Sequence, residues 1–301
     1  MKVKKMFTVI ALCLISVCSV FAQHRYDEDL LRACKGNSLR DVQKYLAAGA
    51  DPNAWQPDGS ARYTALGYAC KNGNINMVRT LVDSGASADG MDGCESPLLL
   101  AARNKNRSIV NYLIVDCKAD ANVQDSDGKT PLMYVISFGA TQLAKNIIQN
   151  FPGCIDLIDV NSRNALHYAC GYGTANKSAL IDLVSLLLAN GADPYYCDNT
   201  GTTPFMFCAI NDQTHAVLAF LNESINFDPS RKNTEGVPAL LECIKKGVGT
   251  NIIELVFRYC RNAGAVIDIY GDGVDYYIDH YYGTDDERRI KLIEYRDKYC
   301  K

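Results

Sequence analysis

Two groups of residues in this chain have the type and spacing that chemistry would need. His167 and Cys170 stand three apart, which places both on one face of a helix as a possible metal pair. Asp125-Ser-Asp-Gly128 has the carboxylate-rich opening of a calcium loop, but the acidic ligand such a loop needs further on is missing. A cysteine activated by a histidine would be a nucleophile, and that chemistry stays open on sequence alone. None of the four histidines, His24, His167, His215 and His280, stands out as partner to a particular cysteine. No catalytic constellation, metal set or cofactor site is therefore expected.

The elements that position these residues come from a repeated phrase. His167 and Cys170 belong to Asn164-Ala-Leu-His-Tyr-Ala-Cys170, which matches Thr64-Ala-Leu-Gly-Tyr-Ala-Cys70, Ser96-Pro-Leu-Leu-Leu-Ala-Ala102, Thr130-Pro-Leu-Met-Tyr-Val-Ile136 and Thr203-Pro-Phe-Met-Phe-Cys-Ala209. Worn copies are Leu30-Leu-Arg-Ala-Cys34 and Ala239-Leu-Leu-Glu-Cys243. Equivalent positions recur every 32 to 39 residues, a period that means a solenoid. Thr, Ser or Asn before Pro or Ala starts a helix, because the side-chain oxygen caps a free N–H that Pro itself does not need. Each unit closes on a second phrase, as in Gly49-Ala-Asp-Pro-Asn53, Gly85-Ala-Ser-Ala-Asp89, Lys118-Ala-Asp-Ala-Asn122 and Gly191-Ala-Asp-Pro-Tyr195. There Gly takes the left-handed conformation that ends the second helix.

These motifs resemble the ankyrin repeat family, whose period is near 33 residues and whose first helix opens on T-P-L-H-x-A. The resemblance implies an all-α solenoid of about seven helix-turn-helix repeats over 23–273 with β-hairpin-like fingers, and a degenerate capping unit at 274–301. It also implies a protein partner, still unidentified, held on the concave face by the fingers and the open side of the first helices. Carried over position by position, the contact strip would be Tyr68, Leu100, Tyr134, Tyr168 and Phe207, flanked at the finger tips by Trp55, Asp127, Tyr196 and Asn199. The tyrosines near 270–282 form a second candidate surface or a cap over the last repeat. In three places the pattern is expected to break: Phe151-Pro-Gly-Cys-Ile-Asp156 lacks the closing phrase, Thr174-Ala-Asn-Lys-Ser-Ala179 is inserted between two helices, and Trp55 to Tyr63 makes a long loop.

The first 22 residues are basic and then apolar up to Val20-Phe-Ala22, which reads as a secretory signal peptide. A lipid-attachment site at Cys18 and an uncleaved anchor are weaker rivals. The mature product would be exported, periplasmic or secreted, monomeric and not inserted in a membrane. Removing three lysines with the leader leaves 28 basic residues against 34 acidic ones, a surface unsuited to nucleic acid.

Eleven cysteines then remain. Cys34, Cys70, Cys170, Cys208 and Cys243 fall at small-residue positions of the repeat and are expected as core thiols. A loop pair among Cys94, Cys117, Cys154, Cys197 and Cys300 stays open. So does an alternative function, a redox or stress-protective protein with exposed thiols at Cys94, Cys197 or Cys300, and a third, a secreted factor that acts on a host.

Overall fold

The computed structural model describes residues 25–171, 177–211, 213–221, 227–233, 236–260, 263–268 and 270–300. Residues 1–22, expected as a leader, His24 and positions 174–176 of the expected insertion lie outside them. The chain divides into two compact units, residues 1–125 and 126–301.

Unit one holds three helix pairs: α1 (25–35) with α2 (Leu39–Ala47), α3 (Ala65–Asn72) with α4 (Ile75–Asp83), and α5 (Pro97–Arg103) with α6 (Arg107–Asn111). Unit two holds five: α7 (Pro131–Ser137) with α8 (Thr141–Asn150), α9 (Ala165–Gly171) with α10 (Lys177–Ala189), α11 (Pro204–Ile210) with α12 (Thr214–Phe220), α13 (Ala239–Lys245) with α14 (Thr250–Tyr259), and α15 (Val274–Tyr281) with α16 (Glu287–Tyr299). Finger segments connect one pair to the next.

The first helix of each pair starts where the cap residues put it. Thr64, Ser96, Thr130 and Thr203 each accept the N–H three residues on, from Gly67, Leu99, Met133 and Met206. Pro238 stands in the capping place of α13 and offers no side-chain bond. These helices are thin, so neighbours approach closely. A Cβ added to Gly67 of α3 would lie 3.3 Å from Leu100 Cδ1 of α5, and Ala69, Ala101 and Cys70 between them are fully buried. Second helices add the bulk of the core with Met77, Val78 and Leu81 in unit one and Leu183, Val184 and Leu187 in unit two. Each such side chain contributes about 1.5–3 kcal/mol when removed from water.

Gly49, Gly85 and Gly191 take φ of 95°, 99° and 91° at the ends of second helices. Lys118, which has no glycine to replace it, adopts φ 59° after a wide π turn at Tyr112–Asp116. Asparagines then stitch successive pairs: Asn72 and Asn106 donate to the carbonyls of Cys34 and Cys70, and Asn233 to that of Gly201. Two of the expected breaks in the pattern take a definite form. The segment from Trp55 to Tyr63 is no open loop but a hairpin, β1 (Trp55–Asp58) paired antiparallel with β2 (Ala61–Thr64). Its two-residue tip is Gly59-Ser60, with Gly59 at φ 67° in the first central position, where hairpin turns favour glycine. The missing phrase after α8 is filled by a 3-10 turn at Pro152–Ile155, which buries Cys154 and Ile155.

Candidate protein-binding surfaces

The inner helix positions proposed as a strip do not form one. Tyr68, Leu100 and Tyr168 are buried, at 2%, 0% and 4% exposure, and only Tyr134 and Phe207 are half-buried. The reason is that each finger folds back over its own helix. In unit one the Gln56 amide of β1 donates to the Tyr68 hydroxyl at 3.2 Å, the Tyr63 ring packs at 5.2 Å, and Leu100 fills the space left by Gly67.

In unit two a buried carboxylate does the same work. Asp159 accepts the N–H groups of Asn161 and Arg163 on one oxygen, both at 2.8 Å, and the Tyr168 hydroxyl on the other at 2.7 Å. Asp268 repeats the arrangement with the N–H groups of Tyr270 and Asp272 and the hydroxyl of Tyr277. Asp198 accepts from Thr200 and Thr202, but nine residues on stands Phe207, which has no hydroxyl. Its second oxygen takes the Arg163 guanidinium at 3.1 Å instead, and that guanidinium lies 5.0 Å from the Phe207 ring. Burial alone would raise the Asp198 carboxyl, yet the Thr200 and Thr202 donors and Arg163 hold it below the usual carboxylate range. The signal was present in the chain as an Asp nine residues before a Tyr, at 159/168 and 268/277, and motif matching on the helix alone passes over it.

What the fingers bury inside they leave open at their tips. In unit one Trp55 is 47% and Met91 42% exposed. In unit two Val160 is 62% exposed beside exposed Asp127, whose carbonyl accepts the Val160 N–H. Asn199 is exposed but tied down, bonded to Ser162 and to the Val160 carbonyl, and Tyr196 is half-buried with its ring edge-on to His167. Val160 and Met91 are thus more open than most of the strip.

Among the described residues each unit also offers a concavity, and the two are of similar size. In unit one a groove of about 690 Å³ runs between α1 and the first finger, with Leu31, Arg32, Lys35, Trp55, Pro57 and Met91 among its walls. In unit two a cleft of about 720 Å³ lies between the last finger and the end of α16, bounded by Asp272, Asp275, Tyr276, Arg296 and Asp297. The C-terminal tyrosines split: Tyr277 and Tyr282 are buried, Tyr282 donating to the Ile244 carbonyl at 2.7 Å, while Tyr270, Tyr276 and Tyr281 face solvent.

Comparison with known proteins decides the family. A profile described as "Ankyrin repeats (3 copies)" matches residues 30–124, 98–180 and 174–268. The chain belongs to the ankyrin repeat family. It is 25% identical over 235 residues to the Ankyrin repeat and KH domain-containing protein mask-1 of Caenorhabditis elegans, a match over 77% of this chain and 8% of that protein. The chain therefore spans a small part of that relative's length. Among solved structures it is similar to the ankyrin repeat protein EF0377, with a TM-score of 0.56, 23% identity, and coverage of 64% of this chain and 96% of the other. It is also similar to a chain in the complex of the predatory endopeptidase Bd0816 from Bdellovibrio bacteriovorus with immunity protein Bd3460, with a TM-score of 0.54 and 21% identity over 64% and 95% of the two chains. Ankyrin repeats are protein–protein interaction modules.

Within this ankyrin framework the residues that suggested chemistry have structural work. His167 Nε2 lies 3.0 Å from the Thr202 carbonyl, and Nδ1 lies 2.7 Å from the Asn164 side-chain oxygen and 3.3 Å from the Asn164 backbone nitrogen. Burial pushes its pKa down to about 4, so the ring is neutral at pH 7. Among the described residues no three His, Cys, Asp or Glu side chains are grouped to hold a metal ion, and no helix is long and apolar enough to cross a membrane. All eleven cysteines are thiols. Cys197, expected in an exposed loop, is buried and donates to the Tyr195 carbonyl at 3.7 Å. Cys94 and Cys300 are half-buried with pKa values raised by burial, and burial raises Cys34, Cys243 and Cys260 to about 12.

Proposed function

We propose that this ankyrin protein is an exported, non-enzymatic binding protein that holds a partner protein mainly with its finger tips rather than with the inner helices. The observation that carries this reading is the inversion of exposure. Tyr68 and Tyr168 of the helix strip are closed by their own fingers, and Tyr134 and Phe207 are half-buried, whereas Trp55, Met91 and Val160 stand open on the fingers. Large apolar side chains on a rigid support give contact area at low entropy cost. Export rests on the basic and apolar run at residues 1–22, and on this reading the protein acts as a monomer in the periplasm or outside the cell, with residues 274–301 as its end cap.

A thiol-based protective role is the weaker alternative, because reactivity needs accessible thiolate. Eight of the eleven thiols are buried, and the half-buried Cys94, Cys117 and Cys300 all have raised pKa values. The test is a crosslinking pull-down from the envelope fraction with the native chain, a Trp55→Ala, Met91→Ala variant and a Val160→Ser variant. A specific protein that is captured by the native chain and reduced with either variant is the expected result. Equal capture by all three would move the site away from the finger tips, and loss with a Tyr134→Ala, Phe207→Ala variant alone would return it to the half-open helix positions.

A further inference from the structure

The two cations in the unit-one groove are already neutralised by residues outside it. Arg32 pairs with Asp29 at 2.6 Å and Lys35 with Asp58 at 3.1 Å, and neither acid lines the groove. Among the described residues the three carboxylates that do line it, Asp27, Glu28 and Asp51, have no cationic partner. Asp27 and Asp51 accept only backbone N–H groups, from Asp51 and Asn53. One end of the groove therefore has uncompensated negative charge. Its walls are apolar elsewhere: Leu31, Ala54, Trp55, Pro57 and Met91. Arg62 lies 5.3 Å from the Trp55 ring, and almost half of that residue stays open to solvent.

We infer that this groove takes a short extended segment of the partner protein in which a lysine or arginine stands beside a large apolar side chain. The inference deepens the binding function proposed above and rests on it. The partner's cation meets Asp27, Glu28 and Asp51, and its apolar neighbour covers Trp55 and Met91. At about 690 Å³ the groove has the size of a site for one short segment rather than for a folded domain. An acidic segment or a phosphate-bearing ligand meets like charge at the same place.

The experiment uses the full mature chain and a random dodecapeptide library displayed on phage. Selection is run in parallel on the native protein and on an Asp27→Asn, Glu28→Gln, Asp51→Asn variant, which keeps one acceptor oxygen at each position while removing the charge. Peptides enriched on the native protein alone are expected to pair Lys or Arg with Leu, Met or an aromatic residue. Synthesised, such a peptide should change the emission of Trp55, the single tryptophan of the chain. Its Kd should rise about tenfold on the charge variant and on Met91→Ser, and the affinity should fall with added salt. Enrichment without basic residues, or equal binding to the charge variant, overturns the inference. So does an emission change that follows protein concentration without peptide, which would make a second copy of the chain the occupant. The pull-down separates the two levels: if the partner is still captured by the charge variant and lost with Val160→Ser, the binding function stands and the groove assignment falls.

Discussion

The first finger, residues 51–64 of unit one, and the fourth, residues 156–163 of unit two, cover the same helix position with different physics. The first is a β-hairpin held by its own ladder, and it reaches Tyr68 with the neutral amide of Gln56 and, from its tip, with the solvent-facing carboxyl of Asp58. The fourth has no ladder. Its shape hangs on Asp159, 5% exposed, which accepts two backbone N–H groups and the Tyr168 hydroxyl. A ladder spreads the work over many bonds and permits a long tip, so the first finger projects Trp55 and makes a wall of the groove. A single carboxylate keeps its tip short. The family pattern specifies that a finger closes over its helix, and the finger's own residues decide what is left open for a partner.

The comparison breaks most visibly at Asp159. Asp159→Ala leaves two part-buried N–H groups and a buried hydroxyl without their acceptor, and hydrogen bonds to a charged group are the costly ones to lose, so about 3 kcal/mol of unit-two stability should go. Gln56→Ala, at the matching place of the first finger, should cost under about 1 kcal/mol. Urea denaturation of the two variants against the native chain measures both. Losses of equal size would mean that Asp159 shares its load with bonds elsewhere in the finger.

Alanine at glycine sharpens the same contrast. Gly128 has φ 75°, and an added Cβ would lie 2.9 Å from Asp159 Cα and 3.0 Å from the Val160 nitrogen, both backbone atoms of the fourth finger. Gly59, at the tip of the first hairpin, has φ 67° and nothing within 4 Å. Gly128→Ala must move backbone and should cost about 3 kcal/mol, while Gly59→Ala meets only the left-handed strain of about 1 kcal/mol. A ratio of melting shifts near one would show that strain alone governs both sites.

Acid should separate the two units in turn. His167 belongs to unit two, and the described part of unit one, residues 25–125, contains no histidine. Its folded pKa of about 4 lies below the unfolded value of 6.5, so the folded state binds fewer protons and loses stability as pH falls. The contribution is complete above pH 6.5, fades between 6.5 and about 4, and amounts to about 3 kcal/mol across that window. Hydrogen exchange at pH 7 and pH 4.5 should show protection lost around Thr202 and α9, with α3 and α5 changed less. A His167→Gln variant whose unit-two stability still falls as steeply over this window would assign the acid response to the carboxylates.

Much of this was legible in the sequence because it is local. A threonine or serine before Pro-Leu states a helix start within four residues, and Gly49, Gly85 and Gly191 state where a helix must end. The hairpin was less visible, because Pro57 argues against a strand while Gly59-Ser60 argues for a turn between two. The π turn at Tyr112–Asp116 has no local mark beyond the absent glycine at Lys118. The openness of Tyr68, Leu100 and Tyr168 could not be read from their helices, since it is set by Gln56, Gly67 and Asp159 in other segments. Trp55 was legible as a lone aromatic on a finger, but the acids left over in its groove were not, because Asp58 claims Lys35 from 23 residues away, although Asp29 and Arg32 are a local i,i+3 pair.

The smallest difference is the most direct test of how the two fingers close. Tyr68→Phe and Tyr168→Phe keep the ring and its packing and delete one hydroxyl each. Tyr168 gives up a 2.7 Å bond to a buried carboxylate, and Asp159 is left with an acceptor oxygen facing a ring edge, so about 1.5–2 kcal/mol should be lost. Tyr68 gives up a 3.2 Å bond from a half-buried amide and its bond with the Asp58 carboxyl, both where water can replace them, so under about 1 kcal/mol should be lost. Trp55 emission should report the second loss and not the first, because Gln56 is its neighbour in β1 and Tyr168 belongs to the other unit. If Tyr68→Phe instead cost as much as Tyr168→Phe, the amide would be anchoring the hairpin as firmly as the carboxylate anchors the short finger. The ladder would then no longer account for the long tip, and the exposure of Trp55 would have to be attributed to Gln56.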